Sequence, residues 1–133
     1  MRKKSGDRAV QIESGCAFCA VKGAILENDL AYARFDRYPV TRGHLLLILR
    51  RHVVSYFDCA EEEKRALGEL VEAGRRLLNE RHSPDGFNVG INVGEAAGQT
   101  IMHVHVHLIP RYRGDTPNPR GGVRGVIPER QSY

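Results

Sequence analysis

The chain has 133 residues, of which 41% are hydrophobic and 27% charged, the balance of a folded domain rather than of a disordered chain. Its formal net charge of +4 suits an anionic ligand but is too small to indicate nucleic-acid binding by itself. No apolar run reaches the roughly 18 residues that a membrane helix needs, and no hydrophobic segment follows the basic N-terminus as it would in a secretory signal. These features predict a cytoplasmic protein with a flexible tail at 1–14 and one domain at 15–133.

The first half of the domain is predicted to be mainly strands. Short strands are expected at 24–27 and 30–35, joined by an Asn-Asp turn. A loop at 36–43 follows. The continuous aliphatic run at 44–49 then predicts a strand that is covered on both faces.

One long helix is predicted at 60–81. Asp58 followed by Glu61 indicates a capping box at its start, with Asp in place of the usual Ser or Thr. Aliphatic residues at helical spacing define one buried stripe, namely Leu67, Leu70, Val71, Leu77 and Leu78.

Two alternating segments follow the helix, at 87–93 and 101–109, and each predicts a strand. A glycine-bounded loop at 94–98 lies between them. From about residue 111 the chain is rich in Gly, Pro and Arg and is expected to form an extended loop. Because the strands are not regularly interleaved with helices, the pattern favours an α+β fold with an antiparallel sheet.

Three histidines alternate with aliphatic residues at His103, His105 and His107. On a strand these positions share one face, where successive side chains are about 6.7 Å apart. A zinc–nitrogen bond is only about 2.1 Å long, so all three cannot bind one zinc ion and they must divide their roles. The alternative is that the three histidines simply face solvent on an exposed sheet.

A row of imidazoles suits chemistry at a phosphoryl group. One neutral ring nitrogen can attack phosphorus while its other nitrogen is held by a hydrogen bond, and a neighbouring protonated ring can neutralise the phosphate oxygens. The loop at 94–98 is followed by Gln99 and Thr100, an amide and a hydroxyl, although glycine-rich turns before strands are common. The chain has no Walker A or G-x-G-x-x-G motif, which argues against P-loop and Rossmann folds.

The run from His103 to Ile109 resembles the H-φ-H-φ-H-φ-φ signature of the histidine-triad (HIT) family of nucleotide hydrolases and transferases. Gly98-Gln99-Thr100, Gly43-His44 and Asp36 ahead of Pro39 extend the match, which covers about residues 16 to 112. The resemblance implies a homodimer with an antiparallel sheet of about five strands, one long helix and a short second helix. The C-x-x-C motif makes the chain similar to the zinc-containing bacterial and archaeal branch.

The resemblance also implies how the matching residues act on nucleoside phosphoric anhydrides or phosphoramidates, such as dinucleoside polyphosphates and AMP-amines. His105 is implied to be the nucleophile, which forms a nucleotidyl-histidine that water hydrolyses to a nucleoside monophosphate. His107 is implied to contact the α-phosphate, and His103 to orient the site. The implied substrate-binding residues are Asp36 at the ribose hydroxyls, His44 at the edge of the nucleotide pocket, and Asn92, Gln99 and Thr100 near the phosphates. Arg42 stands where many members of the family have Pro, in a Pro-Gly-His segment. We expect this difference to alter the shape of the local loop and not the chemistry.

Cys16 and Cys19 form a C-x-x-C motif, whose spacing lets both thiolates reach one zinc ion. The family resemblance implies that His52 and His103 complete a structural zinc site. A redox pair, or two thiols without a ligand, are the alternatives. Cys59 has no such neighbour in sequence and is expected to be buried near the helix start.

Two alternatives to a nucleotide hydrolase follow from the sequence. With phosphate or a sugar phosphate as acceptor, the same histidine would serve a phosphorylase or nucleotidyltransferase. The segment from Pro119 to Gly125 is similar to Arg-Gly-Gly boxes that bind RNA, so a nucleotide- or RNA-binding module without turnover is a further candidate. We expect instead that this segment packs beside the active site or at a subunit interface, and that nucleic acid is not a partner.

Overall fold

The structure is a computed structural model that describes residues 15–133, so the predicted tail at 1–14 lies outside the described range. Five antiparallel strands form one sheet in the order β1-β2-β3-β5-β4. Their bounds are β1 Leu26–Glu27, β2 Ala31–Phe35, β3 Leu45–Leu49, β4 Gly86–Gly90 and β5 His105–Arg111. The predicted α+β architecture with about five antiparallel strands is confirmed.

The helix α1, Glu61–His82, packs on one face of the sheet. Inward-facing residues of β2, β3 and β5 meet the apolar stripe of α1 in the main core, which includes Ala33, Leu47, Leu67, Leu70, Leu78 and Val106. All five residues of β3 are buried, as the continuous aliphatic run predicts for a strand covered on both faces. The opposite face of the sheet therefore carries the polar residues of the alternating strands.

The start of α1 differs from the predicted capping box. The N-cap is Ala60, and its backbone N–H donates to Glu63 Oε1 at 2.7 Å. Asp58 instead ends a 3-10 turn, Tyr56–Asp58, which is capped by the Ser55 hydroxyl. The prediction of an Asp58–Glu61 pair was wrong because this turn separates Asp58 from the first turn of α1. Cys59 is buried at this junction, as expected.

Both strands after α1 are shorter at one end than the alternation predicts. β4 ends at Gly90, opposite His107 of β5. β5 begins only at His105, because residues 101–104 turn away from the sheet and the Val104 N–H donates to the Val53 carbonyl at 2.7 Å. His103 is consequently not a strand residue, although the sequence alternates through it.

The remaining helical segments among residues 15–133 are short 3-10 turns rather than a second α-helix. Besides the turn before α1, they are Glu95–Ala97, Gly122–Val126 and Pro128–Arg130. The last two lie in the segment that the sequence predicts as an extended loop. No helix within 15–133 combines the length and the apolar character needed to cross a bilayer.

Candidate active site and metal centre

We call the sheet face opposite α1, where β5 presents His105 and His107, the catalytic face, after the chemistry that the histidine motif predicts. His105 pairs with Ile48 of β3, and His107 pairs with Leu46. The Phe18 ring meets the His105 ring edge-on, with 5.0 Å between ring centroids, and helps to bury it. Two of the three triad histidines therefore share one face, whereas the alternation predicts that all three do, because His103 lies outside β5.

The proton positions on His105 follow from its backbone contact. Its Nδ1 lies 2.8 Å from the His103 carbonyl oxygen. A carbonyl can only accept, so Nδ1 carries the proton of the neutral ring and Nε2 carries a lone pair. His105 is thus held in the tautomer that a nucleophilic Nε2 requires.

A second histidine, His44, sets the tautomer of His107. The Val40 N–H donates to His44 Nδ1 at 3.0 Å, so His44 Nε2 carries the proton of the neutral ring. That nitrogen lies 2.9 Å from His107 Nδ1, which accepts. The remaining nitrogen of neutral His107, Nε2, is then an N–H donor on the catalytic face.

Burial keeps these two rings neutral. It is the main cause that lowers the pKa of His44, against a smaller opposing effect of Asp36. The pKa of His107 falls to about 4, chiefly through burial and then through the neighbouring His105 and His44. A phosphate anion bound at His107 would favour its protonated form, since an opposite charge raises the pKa of a histidine.

Asp36 lies at the end of β2 beside these rings. One carboxylate oxygen accepts the Tyr38 N–H at 2.9 Å, and the other lies 3.5 Å from His44 Nε2. The carboxylate is 16% exposed, whereas His44 is only 2% exposed. The Asp36 carboxylate is therefore partly accessible, while the buried His44 ring lies against His107.

The three predicted phosphate-side residues are placed differently from one another. Gln99 is buried, and its amide makes three hydrogen bonds, from the Gly94 N–H and to the carbonyls of Val54 and Ile101. Thr100 is exposed, and Asn92 is half-buried. Gln99 thus closes the 94–101 loop, and its neighbour Thr100 presents its side chain to solvent.

His103 faces a second cluster, together with Cys16, Cys19 and His52. Their ligand atoms all lie within 4.8 Å of one another. The Nδ1 atom of His103 lies 3.4 Å from Cys16 Sγ, 3.6 Å from Cys19 Sγ and 3.3 Å from His52 Nδ1, and Cys19 Sγ lies 3.2 Å from His52 Nδ1. The C-x-x-C motif and the two histidines therefore converge, as the family resemblance implies.

The dimensions of this cluster fit a tetrahedral zinc ion. Zinc–sulfur and zinc–nitrogen bonds of about 2.3 and 2.1 Å give ligand separations of roughly 3.6 Å for sulfur–nitrogen and 3.4 Å for nitrogen–nitrogen pairs. The observed separations agree with these values within a few tenths of an ångström. His103 Nε2 lies 2.6 Å from the Leu49 carbonyl, which fixes its proton there and turns the Nδ1 lone pair into the cluster. Two thiolates and two neutral imidazoles would balance the charge of a divalent ion.

An open cleft of about 430 Å³ borders this cluster of two cysteines and two histidines. It is lined by Cys16, His52, Val54, Thr100, Ile101 and Met102, with Gly15 and Ala17. The cleft connects the outer side of the cluster with exposed Thr100. His105 stands on the inner side, linked to the cluster through the His103 backbone.

Two functional contacts could not be read from sequence motifs. The His44–His107 hydrogen bond joins residues 63 positions apart, and nothing in the local pattern of β3 indicates its partner. The packing of Phe18 on His105 depends on the C-x-x-C loop crossing the sheet. For the first contact, the sequence signals are that His44 comes immediately before the aliphatic run of β3 and belongs to the Gly43-His44 match, but neither identifies His107 as its partner. Phe18 carries no such signal.

Comparison with known proteins gives one consistent result. The HIT domain family model matches residues 20–114. A HIT-like protein of Mycoplasma pneumoniae is 35% identical over 105 residues, which cover 74% of this chain and 73% of that protein. The AP-4-A phosphorylase of Mycobacterium tuberculosis is 35% identical over 92 residues, which cover 68% of this chain but 47% of that enzyme.

Solved structures agree with the sequence comparison. A zinc-bound histidine triad family protein from Mycobacterium smegmatis superposes with a TM-score of 0.70 at 34% identity, covering 78% of this chain and 80% of that one. A HIT family protein from Bacillus anthracis superposes with a TM-score of 0.72 at 32% identity, covering 77% of each chain. Sequence, sheet topology and the placement of the histidines all indicate the same conclusion: the chain belongs to the HIT domain family.

Proposed function

We propose that the protein is a nucleotide hydrolase that cleaves nucleoside phosphoric anhydrides or phosphoramidates through a nucleotidyl-histidine on His105. The observation that carries this proposal is the tautomer of His105, whose Nδ1–H is bound by the His103 carbonyl so that Nε2 holds the free lone pair. His107 supports it, since its Nε2–H is a donor beside that lone pair. A module that only binds nucleotides would need neither tautomer.

The reaction would proceed in two displacements at the α-phosphorus. In the first, His105 Nε2 forms a bond to phosphorus while the bond to the leaving oxygen or nitrogen breaks. The leaving group takes up a proton from solvent, and the attacking water returns one to solvent in the second displacement. The positive charge that develops on the His105 ring is stabilised by its Nδ1–H bond to the His103 carbonyl. In the second, water attacks phosphorus and the phosphorus–Nε2 bond breaks, which releases a nucleoside monophosphate and neutral His105.

The neighbouring residues would bind and orient the substrate. His107 Nε2–H would donate to a non-bridging oxygen of the α-phosphate, and the buried His44 would hold His107 in that tautomer. Asp36 would accept from ribose hydroxyls, and Asn92 and Thr100 would lie along the phosphates. Gln99 is proposed to position the loop that carries Thr100, because its amide is already engaged by three backbone groups.

Intact-protein mass spectrometry after brief mixing with adenosine 5′-phosphoramidate or diadenosine tetraphosphate tests this proposal. We expect an adenylyl adduct and AMP release in the wild type, and neither in His105→Gly, although that variant still folds and binds nucleotide. His82→Gln, which removes a histidine at the far end of α1, is the matched control and should behave like the wild type. Wild-type turnover in His105→Gly would refute the mechanism.

A phosphorylase is the second candidate, because one relative is named AP-4-A phosphorylase. In that reaction phosphate replaces water in the second displacement, and the product is a nucleoside diphosphate instead of a monophosphate. Running the reaction with and without inorganic phosphate and separating the nucleotides distinguishes the two. ADP formed only in the presence of phosphate would favour the phosphorylase. Nucleotide binding without any product would favour a binding module.

We also propose that Cys16, Cys19, His52 and His103 hold one structural zinc ion. The ligand separations support this, as does the zinc-bound relative from Mycobacterium smegmatis. When bound, the ion would tie the C-x-x-C loop to the segment that leads into β5. Metal analysis of protein purified without chelator should find close to one zinc per chain, and a Cys16→Ser, Cys19→Ser variant should lose it. Full zinc content in that variant would refute the site, and Cys59→Ser is the control.

The family resemblance further supports a cytoplasmic homodimer. β4 is an edge strand of the five-stranded sheet, and an edge strand is a place where a second copy can extend a sheet. Light scattering after size exclusion should give twice the mass of one chain. The mass of a single chain across the micromolar range would contradict the dimer.

A further inference from the structure

The C-terminal segment holds two arginines on one aromatic ring. The guanidinium carbons of Arg120 and Arg124 lie 5.0 and 4.8 Å from the centroid of the Tyr133 ring. We call these three residues the arginine clasp. Among residues 15–133, no carboxylate lies within 4.0 Å of either guanidinium. Two positive charges are thus held no more than about 10 Å apart, about one Debye length at 0.1 M salt.

Backbone contacts fix the clasp in place. Arg124 donates from Nε to the Gln131 carbonyl at 3.2 Å and from Nη2 to the Arg130 carbonyl at 2.9 Å. Gly121 has a φ of +88°, and a Cβ at that position would lie 1.8 Å from the Gln131 carbonyl oxygen. Only glycine permits this close crossing of the chain. The Arg-Gly-Gly motif therefore serves to fold the segment back on itself and to present two cations.

The clasp segment borders the catalytic face. A Cβ on Gly122 would lie 3.3 Å from Asn88 Nδ2. β4 pairs Asn88 with Ile109 and Gly90 with His107, so the Asn88 side chain lies on the same face as His107. Asn88 is about 7 Å from Gly90 along the strand. The segment that carries the clasp therefore approaches the catalytic face at Asn88, about 7 Å along β4 from the residue that pairs with His107.

Gly90 leaves the catalytic face uncovered between His107 and the contact of the clasp segment at Asn88. Nothing lies within 4 Å of a Cβ built on Gly90, and its φ is not in the left-handed region. Neither packing nor backbone conformation therefore requires glycine at this position. Gly90 is the last residue of β4, and the missing side chain leaves room there for a ligand to approach the backbone.

We propose that the catalytic face carries a polyphosphate track, which runs from His107 over Gly90 to the arginine clasp and binds an anionic leaving group. This inference rests on the proposed function and narrows its substrate class to nucleoside polyphosphates, dinucleoside polyphosphates included. A leaving chain of two or three phosphates offers oxygens that two guanidiniums can bind by charge-assisted hydrogen bonds. The amine released from a phosphoramidate has no such groups.

The test compares diadenosine tetraphosphate with adenosine 5′-phosphoramidate, measuring KM and kcat for each. In Arg120→Ala, Arg124→Ala, the KM for the tetraphosphate should rise roughly tenfold or more, since each lost contact joins a cation to a phosphate. The KM and kcat for the phosphoramidate should stay within about twofold. Gly90→Val should impair the tetraphosphate selectively as well. Arg75→Ala, Arg76→Ala is the charge-matched control, because both are exposed residues of α1, on the other side of the sheet.

The possible outcomes test the polyphosphate track separately from the proposed hydrolase activity. If KM and kcat for diadenosine tetraphosphate were unchanged in both the double variant and Gly90→Val, the track would be overturned. The proposed hydrolase activity would not be affected by that result. Equal losses on both substrates would also overturn it, since the clasp would then act only through the fold. If the wild-type protein turned over neither substrate, the proposed hydrolase function would be refuted. Calorimetry would then still support the track if the double variant alone lost affinity for the tetraphosphate.

Discussion

Replacing His44 with Phe tests whether a buried histidine controls the reaction from beneath His107. His44 is 2% exposed, and its Nε2–H donates to His107 Nδ1 over 2.9 Å. Phenylalanine keeps the ring volume but removes this donor and the acceptor for the Val40 N–H. His107 is then free to carry its proton on Nδ1, which leaves no donor at Nε2 for the phosphate.

The expected magnitude follows from the hydrogen bond. A buried polar group that loses its partner costs about 1 to 3 kcal/mol. If that cost appears in the transition state, kcat falls by roughly fivefold to 150-fold, because 1.4 kcal/mol corresponds to a factor of ten. His44→Gln places an amide donor near the position of the original Nε2 and should recover much of the lost rate.

Single-turnover adenylylation of His105, followed by mass spectrometry across pH 5 to 8, is the assay. His44→Phe should slow adenylylation at every pH and change the shape of the pH profile, whereas a purely structural effect would lower the amount of active protein without changing that shape. Thermal unfolding of each variant provides the folding control. Wild-type rates and an unchanged profile in a folded His44→Phe would refute the proposed role of His44.

Two further predictions concern stability. Burial lowers the pKa of His107 to about 4 from an ordinary value of 6.5, so its neutral form stabilises the fold fully above pH 6.5 and this contribution, on the order of 3 kcal/mol, is lost as the pH falls towards 4. Urea unfolding at several pH values should therefore show a shallower acid loss in His107→Asn than in the wild type, and parallel curves would contradict the assignment. Gly74→Ala should lower the free energy of unfolding by roughly 1 to 3 kcal/mol, because its Cβ would lie 2.9 Å from Leu108 Cδ2 and 3.1 Å from Leu45 Cδ1 in the core. Gly68→Ala, on an open face of the same helix, should instead raise the free energy of unfolding by up to about 1 kcal/mol. If both substitutions raised the free energy of unfolding, the core side chains would have to rearrange around the new methyl group at position 74.

Local patterns in the sequence determined the elements and the kind of chemistry. Apolar spacing predicted α1 and β3, because helical and strand periodicities are properties of neighbouring residues. The alternation at 103–107 placed His105 and His107 on one face, and the C-x-x-C spacing predicted a metal ligand pair. The rule that same-face residues lie about 6.7 Å apart excluded one metal for all three histidines. In the structure, His103 joins the cysteine cluster while His105 and His107 stay on the catalytic face.

Only the tertiary structure decided how the separate segments share these residues. His103 leaves the strand because its Nδ1 faces the cysteine cluster and its Nε2 is bound by the Leu49 carbonyl, contacts from segments 51 to 87 residues away. The pairing of β3 with β5 brings His44 against His107, and the 94–101 loop turns the Gln99 amide inward. Periodicity specifies which face a side chain takes, whereas sheet order and register specify what it meets there. For this chain, the tautomers of His105 and His107, on which the proposed reaction depends, are set by contacts that sheet order and register create.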